Sequence, residues 1–521
     1  MLRRFLTVGG FTLLSRVTGF LRDIMLAAVL GAGPVADAFF VALRLPNHFR
    51  AIFAEGAFNA AFVPAYARIR KQNGPDPAGL FADRVFTLLL ASQLVLLAVA
   101  LAFTPWVLGA LAPGFSNDPG RFALAVELTR ITFPYLLLVS VVTLYGGILN
   151  ALGRFASAAA APILLNLSMM AALAFAAFFP TAGHAAAWGV LLAGVLEVLL
   201  LAGDARRQGA LPRLRWPKLD LEVKTFFKRF APATVGSAET QIALFADTII
   251  ASFLAAGALS ALYYADRLNQ LPIGVIGIAA GTVLLPEMAS RLAAGEDRAA
   301  RHAQNRAIEL TLLLSIPCFV AFLLVPELIM RALFGRGAFT AAAAQAAGQT
   351  LMAYAIGLLA FVLIRSAAVT FLARGDTWTP VKALFFAVIV NVALKILLMD
   401  SHAQVGLAFA TSIGAWVNLA MLIWYASRAN LITIDDRLRQ SLLKLAIAGA
   451  ALALALFVAE RALADAIKGW PLRDEAMLAA LALLGLLVYG GAVFMLFGRA
   501  WLSAFRGRAP VDAVPPDPPG N

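Results

Sequence analysis

Apolar residues occur in long runs that recur from the first residues of the chain to about residue 500. A run of 18 or more apolar residues can cross the hydrocarbon core of a bilayer, about 30 Å thick, as a helix. The runs are rich in Leu and Ala and are too long for the strands of a membrane barrel. The pattern therefore predicts an all-α polytopic membrane protein built as a helix bundle.

The pattern predicts fourteen transmembrane helices. Their limits are 5–31, 36–68, 81–111, 121–151, 157–180, 184–204, 222–254, 258–290, 304–333, 342–372, 379–399, 404–427, 441–464 and 475–498. An internal repeat is also visible, because LGAGPVADAFFVALRLP at 30–46 resembles LAAGALSALYYADRLNQ at 254–270. Six spans separate the two copies, so the repeat keeps its orientation and predicts two pseudo-symmetric lobes.

The domain organisation follows from this repeat. We expect an N-lobe of helices 1–6 over 1–215 and a C-lobe of helices 7–12 over 216–430. Helices 13 and 14 fall outside the repeat, over 431–500, and are expected to form a groove for a lipid tail. The remaining segment, 501–521, is rich in proline and predicts a disordered cytoplasmic tail.

The charge distribution predicts the orientation. Of 521 residues only 14% are charged, against roughly 25% in a soluble domain. Basic residues concentrate in alternate loops, above all from Arg206 to Arg229, from Arg291 to Arg306 and from Arg428 to Lys444. Such loops face the cytoplasm, so both termini are predicted to be cytoplasmic. The excess of basic residues in loops that face anionic lipid accounts for most of the net charge of +13. The charge therefore does not require a nucleic-acid partner.

Composition argues against several kinds of chemistry. The single cysteine, Cys318, excludes an intrachain disulfide, and the four histidines are scattered without metal-binding spacing. The sequence has no Walker motif, so it does not resemble an ATPase. We therefore expect no metal, no cofactor and no catalytic residue, and interpret the chain as a transporter.

Apart from the basic residues of the loops and span ends, about eight lie inside the predicted spans, namely Arg16, Arg22, Arg44, Arg50, Arg130, Arg267, Arg365 and Lys395. Each charge at mid-membrane costs roughly 2.5–3.5 kcal/mol on insertion scales. Four such arginines facing lipid would cost on the order of 10 kcal/mol, which is comparable to the whole stability of a fold. They are therefore expected to face a hydrated interior or counter-charges.

Helix 2 contains the stretch DAFFVALRLPNHFRAIFAEGAF, which is unusually polar for a span. Asp37 and Arg44 are seven residues apart and share a helix face. Pro46, between Arg44 and Arg50, bends the helix. The bend turns Asn47 and Arg50 toward a cavity. Glu55 offsets part of the positive charge.

Arginine suits a phosphate-bearing substrate, because its planar fork binds phosphate through two hydrogen bonds. A lumen lined by arginines from helices 1, 2 and 8 would bind such an anion. The alternative is a set of structural ion pairs, Arg22 with Asp23, Asp37 with Arg44 and Asp266 with Arg267. The nearby acids are too few to explain the repeated choice of arginine, so we favour the lumen.

Lys395 raises a separate question. It follows Asn391 by one helical turn, and Asp247 lies in helix 7 of the same predicted lobe. One hypothesis is an intramembrane ion pair between Asp247 and Lys395. The other is that Lys395 extends to the outer membrane surface, as long basic side chains do near helix ends.

Several motifs resemble the MurJ-type lipid II flippases, the MviN family. They are SRVTGFLRD (15–23), DAFFVALRLPN (37–47), IFAEGAFNAAFVP (52–64), APGFS (112–116), TFPY (132–135), YYADRL (263–268) and TP (379–380). The resemblance covers helices 1–12 and implies the fold of the multidrug/oligosaccharidyl-lipid/polysaccharide exporter superfamily. It also implies the substrate lipid II, the undecaprenyl-diphosphate-linked peptidoglycan precursor, moved from the inner to the outer leaflet of the bacterial cytoplasmic membrane.

By this resemblance the substrate-binding arginines fall on Arg16, Arg22, Arg50 and Arg267, and the helix 2 acid on Asp37. Family members often carry an acid where this chain has Gln270, which weakens proton coupling at that position. Some relatives hold sodium near the positions of Asp247, Asn391 and Thr411. Lys395 would place a fixed cation there, which disfavours sodium coupling.

The resemblance implies alternating access without covalent chemistry, with lipid II and membrane lipids as partners and cell-wall synthesis and division proteins as further ones. Two alternatives stay open: an exporter of another polyprenyl-diphosphate-linked glycan, and a cation-coupled drug exporter. A drug exporter needs acids and aromatic side chains in its lumen, whereas arginines repel cationic drugs. An enzyme acting on lipid-linked sugars would need an acid or metal cluster in an outer loop, and those loops are short.

Overall fold

The computed structural model describes residues 2–50, 56–466 and 469–498, and these ranges are almost entirely helical, with no strand among them. The all-α class is thereby confirmed. The helices are α1 (Leu2–Leu30), α2 (Pro34–Arg50), α3 (Gly56–Asn73), α4 (Pro75–Ala102), α5 (Thr104–Leu111), α6 (Pro119–Thr132), α7 (Pro134–Ala151), α8 (Ala156–Ala174), α9 (Ala182–Arg207), α10 (Leu221–Ser252), α11 (Ala258–Pro272), α12 (Ile278–Ala293), α13 (Asp297–Leu324), α14 (Pro326–Phe334), α15 (Ala341–Leu372), α16 (Trp378–Arg428), α17 (Asp436–Ala466) and α18 (Arg473–Phe497).

Ten helical segments in the described ranges are long and apolar enough to cross a membrane, counting α6 with α7 and α11 with α12 as continuous. One of them, α16, has 51 residues and is too long for a single crossing. Its backbone leaves the helical conformation at Ala403, with φ 43° and ψ −130°, between the predicted spans 379–399 and 404–427. The chain is therefore a multi-pass membrane protein, and the number of fourteen spans stays a prediction.

The first of two compact units comprises Met1–Ser260 with Arg336–Thr340. An aromatic core of this unit joins α3, α4, α7 and the start of α10. The ring of Phe62 stacks on Phe58 and Phe81 at centroid distances of 5.2 and 5.6 Å, and Phe226 contacts it edge-on. Burial of each large ring contributes roughly 1.5–3 kcal/mol, so this core fixes α4 and the start of α10.

The second unit comprises Ala261–Gly335 with Ala341–Asn521. In this unit α15 packs along α16, and α13 packs between α15 and α17. The Ser412 hydroxyl donates a hydrogen bond of 2.6 Å to the Ala353 carbonyl, and the Tyr489 hydroxyl one of 2.8 Å to the Leu313 carbonyl. The lobe boundaries at 215 and 430 stay a prediction; α10 packs against α3 within the first unit.

Candidate functional site

The carboxylate of Asp37 is the centre of a buried polar node in the first unit. The residue is 0% exposed and lies in the first turn of α2. It accepts hydrogen bonds of 2.7 Å from the Gly257 N–H and 2.8 Å from the Ser260 N–H, and a third from the Ser260 hydroxyl. These amides belong to the start of α11, where the helix dipole stabilises a negative charge.

Arg121 completes the node. The guanidinium of this residue, which is 7% exposed, lies 3.5 Å from the Asp37 carboxylate and 4.0 Å from the centre of the Phe115 ring. It also donates to the Ser252 and Leu254 carbonyls, at 3.4 and 3.5 Å, where α10 ends. Arg121 therefore connects α2, α6 and the free carbonyls of a helix C-terminus.

The APGFS motif packs directly against this helix end. The Gly114 N–H donates to the Ser252 hydroxyl at 3.0 Å. A Cβ at Gly114 would lie 2.4 Å from the Ser252 carbonyl oxygen and 2.5 Å from the Phe253 backbone, so the approach requires glycine. Arg121 was not identified from the sequence; an arginine shortly after the APGFS motif was the available signal.

A second cluster joins α1 to α8. Arg22 donates to Asp23 through Nε and Nη2, at 3.2 and 2.8 Å, and to the Asn166 side-chain oxygen through Nη1 at 3.0 Å. The Asn166 amide group in turn donates to the Ser15 carbonyl at 3.0 Å and to the Thr18 hydroxyl at 3.1 Å. Arg22 is thus held in a defined orientation. The contact with Asp23 was predicted as the structural alternative, whereas Asn166 was not identified.

A third cluster surrounds Glu197, which is 3% exposed in α9. Tyr135 forms a hydrogen bond to this carboxyl group, and the charge of Arg50 acts on it. Glu55, which the sequence predicted to offset part of the positive charge, lies outside the described residues. Glu197 is the only acid within the predicted span 184–204, apart from Asp204 at its end, and an acid within a span could have identified it.

The remaining arginines have different surroundings. Arg44 donates to the Thr248 hydroxyl at 2.9 Å rather than to Asp37. Arg16 is exposed, and Asn47 is half-buried in α2. In the second unit Arg267 is exposed, with its guanidinium 4.7 Å from the centre of the Tyr263 ring and 3.0 Å from the Tyr263 hydroxyl.

The predicted ion or ion-pair site concerns two units. Asp247 is half-buried in α10. In α16, Asn391 packs so closely against Gly414 that a Cβ there would lie 2.9 Å from its own Cβ, and the Thr411 hydroxyl donates to the Leu407 carbonyl at 3.0 Å. Lys395 is only 2% exposed, so the hypothesis that it extends to the membrane surface is wrong. The pairing of Asp247 with Lys395 stays a prediction.

Within the described ranges, no group of three or more His, Cys, Asp or Glu residues could hold a metal ion. The arginines provide planar donors suited to phosphate, and Arg22, Arg44 and Arg121 are already oriented by a carboxylate, an amide or a hydroxyl. Such an arrangement can bind an anion by exchanging one oxygen acceptor for another.

Solved structures share this fold. A structure described as lipid II flippase MurJ in an inward closed conformation matches 95% of this chain and 99% of its own, with a TM-score of 0.79 and 22% identity. An inward-facing multidrug resistance MATE family transporter of the MOP superfamily matches 82% and 98%, with a TM-score of 0.67 and 15% identity. The chain therefore shares the fold of these two solved structures.

The sequence comparisons are more specific. The profile of the family described as "Lipid II flippase MurJ" matches residues 26–467. A probable lipid II flippase MurJ from Rhizobium meliloti (strain 1021) is 41% identical over 97% of this chain and 96% of its own length. A lipid II flippase MurJ from Burkholderia cenocepacia is 36% identical over 81% and 83%. The chain belongs to the lipid II flippase MurJ family, whose members are transporters and not enzymes.

Proposed function

We propose that this protein flips lipid II from the inner to the outer leaflet of the bacterial cytoplasmic membrane by alternating access. The observation that carries the proposal is the 41% identity, over nearly the whole of both chains, to a relative named as a probable lipid II flippase. Within the chain, oriented arginines in the apolar part of the bundle support the same substrate class, because they match a diphosphate in charge and geometry.

Four arginines, Arg16, Arg22, Arg50 and Arg267, are proposed to contact the diphosphate and the adjoining sugar during transport. Of these, Arg22 is held by Asp23 and Asn166. A diphosphate oxygen would replace one of these acceptors, so that binding exchanges hydrogen bonds instead of desolvating a bare guanidinium. Asn47 is proposed to face the same binding region, and Glu55 to offset part of its positive charge.

The Asp37 node is proposed to stabilise the state in which the external side is closed. The predicted orientation places the start of α11 and the APGFS motif on that side. Delivery of the headgroup to the outer leaflet requires that side to open, so the hydrogen bonds of Asp37 to Gly257 and Ser260 are expected to break in each cycle. Asp37 then acts on transport through conformation and not through contact with the substrate.

The prenyl tail is proposed to remain in lipid or in a groove along α17 and α18, since enclosing so long a chain would be costly. Both termini are proposed to lie in the cytoplasm, with cell-wall synthesis and division proteins as partners. Lys395 is proposed to replace a mobile cation near Asp247, Asn391 and Thr411, so that the membrane potential, worth about 2.3 kcal/mol per charge per 100 mV, biases the cycle instead of sodium.

Depletion of the protein from its host tests the substrate. Lipid II is expected to accumulate in the inner leaflet, measured by extraction of lipid-linked intermediates and by their accessibility to an external reagent. Restoring the wild-type chain is the control. Accumulation of a different polyprenyl-diphosphate glycan, with lipid II at its normal level, contradicts the proposal and favours an exporter of that glycan.

A further inference from the structure

The segment that connects α9 to α10 exposes large apolar side chains beside basic ones. We call residues 211–220, LPRLRWPKLD, the strap. The exposed fractions of Leu214, Trp216 and Leu219 are 67%, 83% and 57%. Arg213 and Lys218 are exposed between them. Two prolines keep the strap extended, and it contains no helical residue.

The strap is fixed on α4 through its backbone. The Arg213 N–H donates to the Asp83 carboxylate at 2.7 Å, and the Arg215 N–H to the Thr87 hydroxyl at 3.1 Å. The Arg215 side chain also pairs with Asp83 at 3.0 Å, and Asp220 pairs with Arg84. These bonds leave the side chains of Leu214 and Trp216 unused. These two side chains are therefore exposed in a conformation that the hydrogen bonds and ion pairs of the strap hold in place.

The contacts place the strap at a boundary in α4. The two contact positions on α4, Asp83 and Thr87, are four residues apart, about 6 Å along the helix. At this level the charged start of α4 gives way to an apolar run, 86–102, without a charged residue. Further along the run, Leu94, Val95 and Val99 are at least half exposed, as a lipid-facing surface is. Trp216 thus lies where hydrocarbon begins, the depth that tryptophan prefers.

The charge around the strap indicates which kind of surface the strap contacts. Residues 206–229 contain eight basic and two acidic side chains. Each basic residue near an anionic bilayer surface contributes about 1 kcal/mol of attraction, and an apolar side chain alone would not distinguish one lipid from another. An anionic phospholipid interface matches both the basic and the apolar side chains of the strap. A protein partner would instead have to bind at the level of the headgroups.

We propose that the strap is an interfacial anchor that binds anionic phospholipid headgroups through Arg213 and Lys218 and inserts Leu214 and Trp216 at the edge of the hydrocarbon. Asp220 caps the first turn of α10 through the Val223 N–H at 2.8 Å. The anchor therefore fixes the start of α10 at the membrane surface. This inference does not depend on the substrate that the protein transports.

A single environment-sensitive label tests the insertion. Cys318 is the only cysteine, so Trp216→Cys in a Cys318→Ser background carries the label alone. In bilayers of phosphatidylcholine with phosphatidylglycerol, the label is expected to be protected from aqueous iodide. Trp106→Cys is the matched control, since Trp106 is 80% exposed beyond the other end of α4 and no basic residue lies within 85–120.

A lipid titration of the labelled protein in neutral detergent tests the charge preference. The 216 label is expected to respond to phosphatidylglycerol at a far lower concentration than to phosphatidylcholine, and Arg213→Gln with Lys218→Gln is expected to raise the phosphatidylglycerol midpoint about thirtyfold. The label at 106 should respond equally to both lipids. A midpoint unchanged by the double substitution, or a 216 label that iodide quenches freely in bilayers, overturns the proposal and leaves a protein as the occupant.

Discussion

Two buried carboxylates in this protein are stabilised in contrasting ways. In the first unit, Asp37 is held by two backbone N–H groups and a hydroxyl, with Arg121 at 3.5 Å. In the second unit, Glu309 is 4% exposed and pairs with Arg306, with Arg437 at 3.8 Å and with the Ser441 hydroxyl at 2.7 Å.

The difference indicates which contact can open. The Gly257 and Ser260 donors to Asp37 belong to one short segment at the start of α11, so they can leave it together. The donors to Glu309 are side chains of α13 and α17, and Arg306 is further bound by Asp435 at 2.7 and 2.9 Å. We therefore interpret the Asp37 node as a contact that changes during transport and the Glu309 network as a permanent connection between α13 and α17.

The largest expected effect is that of Asp37→Ala. It leaves a buried guanidinium and three donors without their acceptor, and breaking a buried pair in this way costs about 3–5 kcal/mol. Thermal unfolding in detergent measures the loss of stability, and complementation of a depleted host measures transport. Asp37→Asn, which keeps one acceptor oxygen, is the control and should lose less stability. Wild-type stability and growth with Asp37→Ala would contradict the node as described.

A smaller effect is expected for Glu309→Gln. The amide keeps the hydrogen bond from Ser441 but removes the charge that faces Arg306 and Arg437, which should cost about 1–3 kcal/mol. Asp435 still binds Arg306, so the fold should survive and transport should stay near the wild-type rate. Unfolding temperature and flipping rate are the two measurements. Loss of transport with an unchanged unfolding temperature would contradict the proposed difference between the Asp37 node and the Glu309 network.

The smallest effect concerns pH. Burial alone would raise the pKa of Asp435, but the Leu438 N–H and Arg306 outweigh it and hold this pKa below the usual value. The unfolded chain therefore binds the proton more readily. The stabilisation is complete above the unfolded pKa, about 3.9, and is lost as pH falls through the lower folded pKa.

Acidification from pH 5 to pH 3 should accordingly remove about 0.5–1 kcal/mol that depends on Asp435. The difference in unfolding temperature between the wild type and Asp435→Asn measures this contribution and should shrink at the lower pH. A difference that is constant over this range would show that the Asp435 carboxylate does not contribute through its charge.

Hydrophobic periodicity predicts the helical fold well, because each span must satisfy its own backbone in lipid. It also separates the two parts of α16 at Ala403. The partners of the charged residues are harder to predict. Arg121 with Asp37, and Glu197 with Arg50, are distant in sequence, and their contact depends on the rotation and depth of separate helices. Neighbouring pairs such as Arg22 with Asp23 are accessible from sequence; Asn166, contributed by α8, is not.

The central claim is that oriented arginines and the Asp37 node together move lipid II across the membrane. The most direct measurement is a flipping assay in proteoliposomes that contain fluorescent lipid II, with a membrane-impermeant reagent reporting the fraction in the outer leaflet. The wild type is expected to equilibrate lipid II between leaflets. Arg22→Lys, which keeps the charge but loses the planar fork, and Asp37→Asn are expected to do so at least tenfold more slowly. Equal rates in all three proteins, or no movement with the wild type, would contradict the central claim.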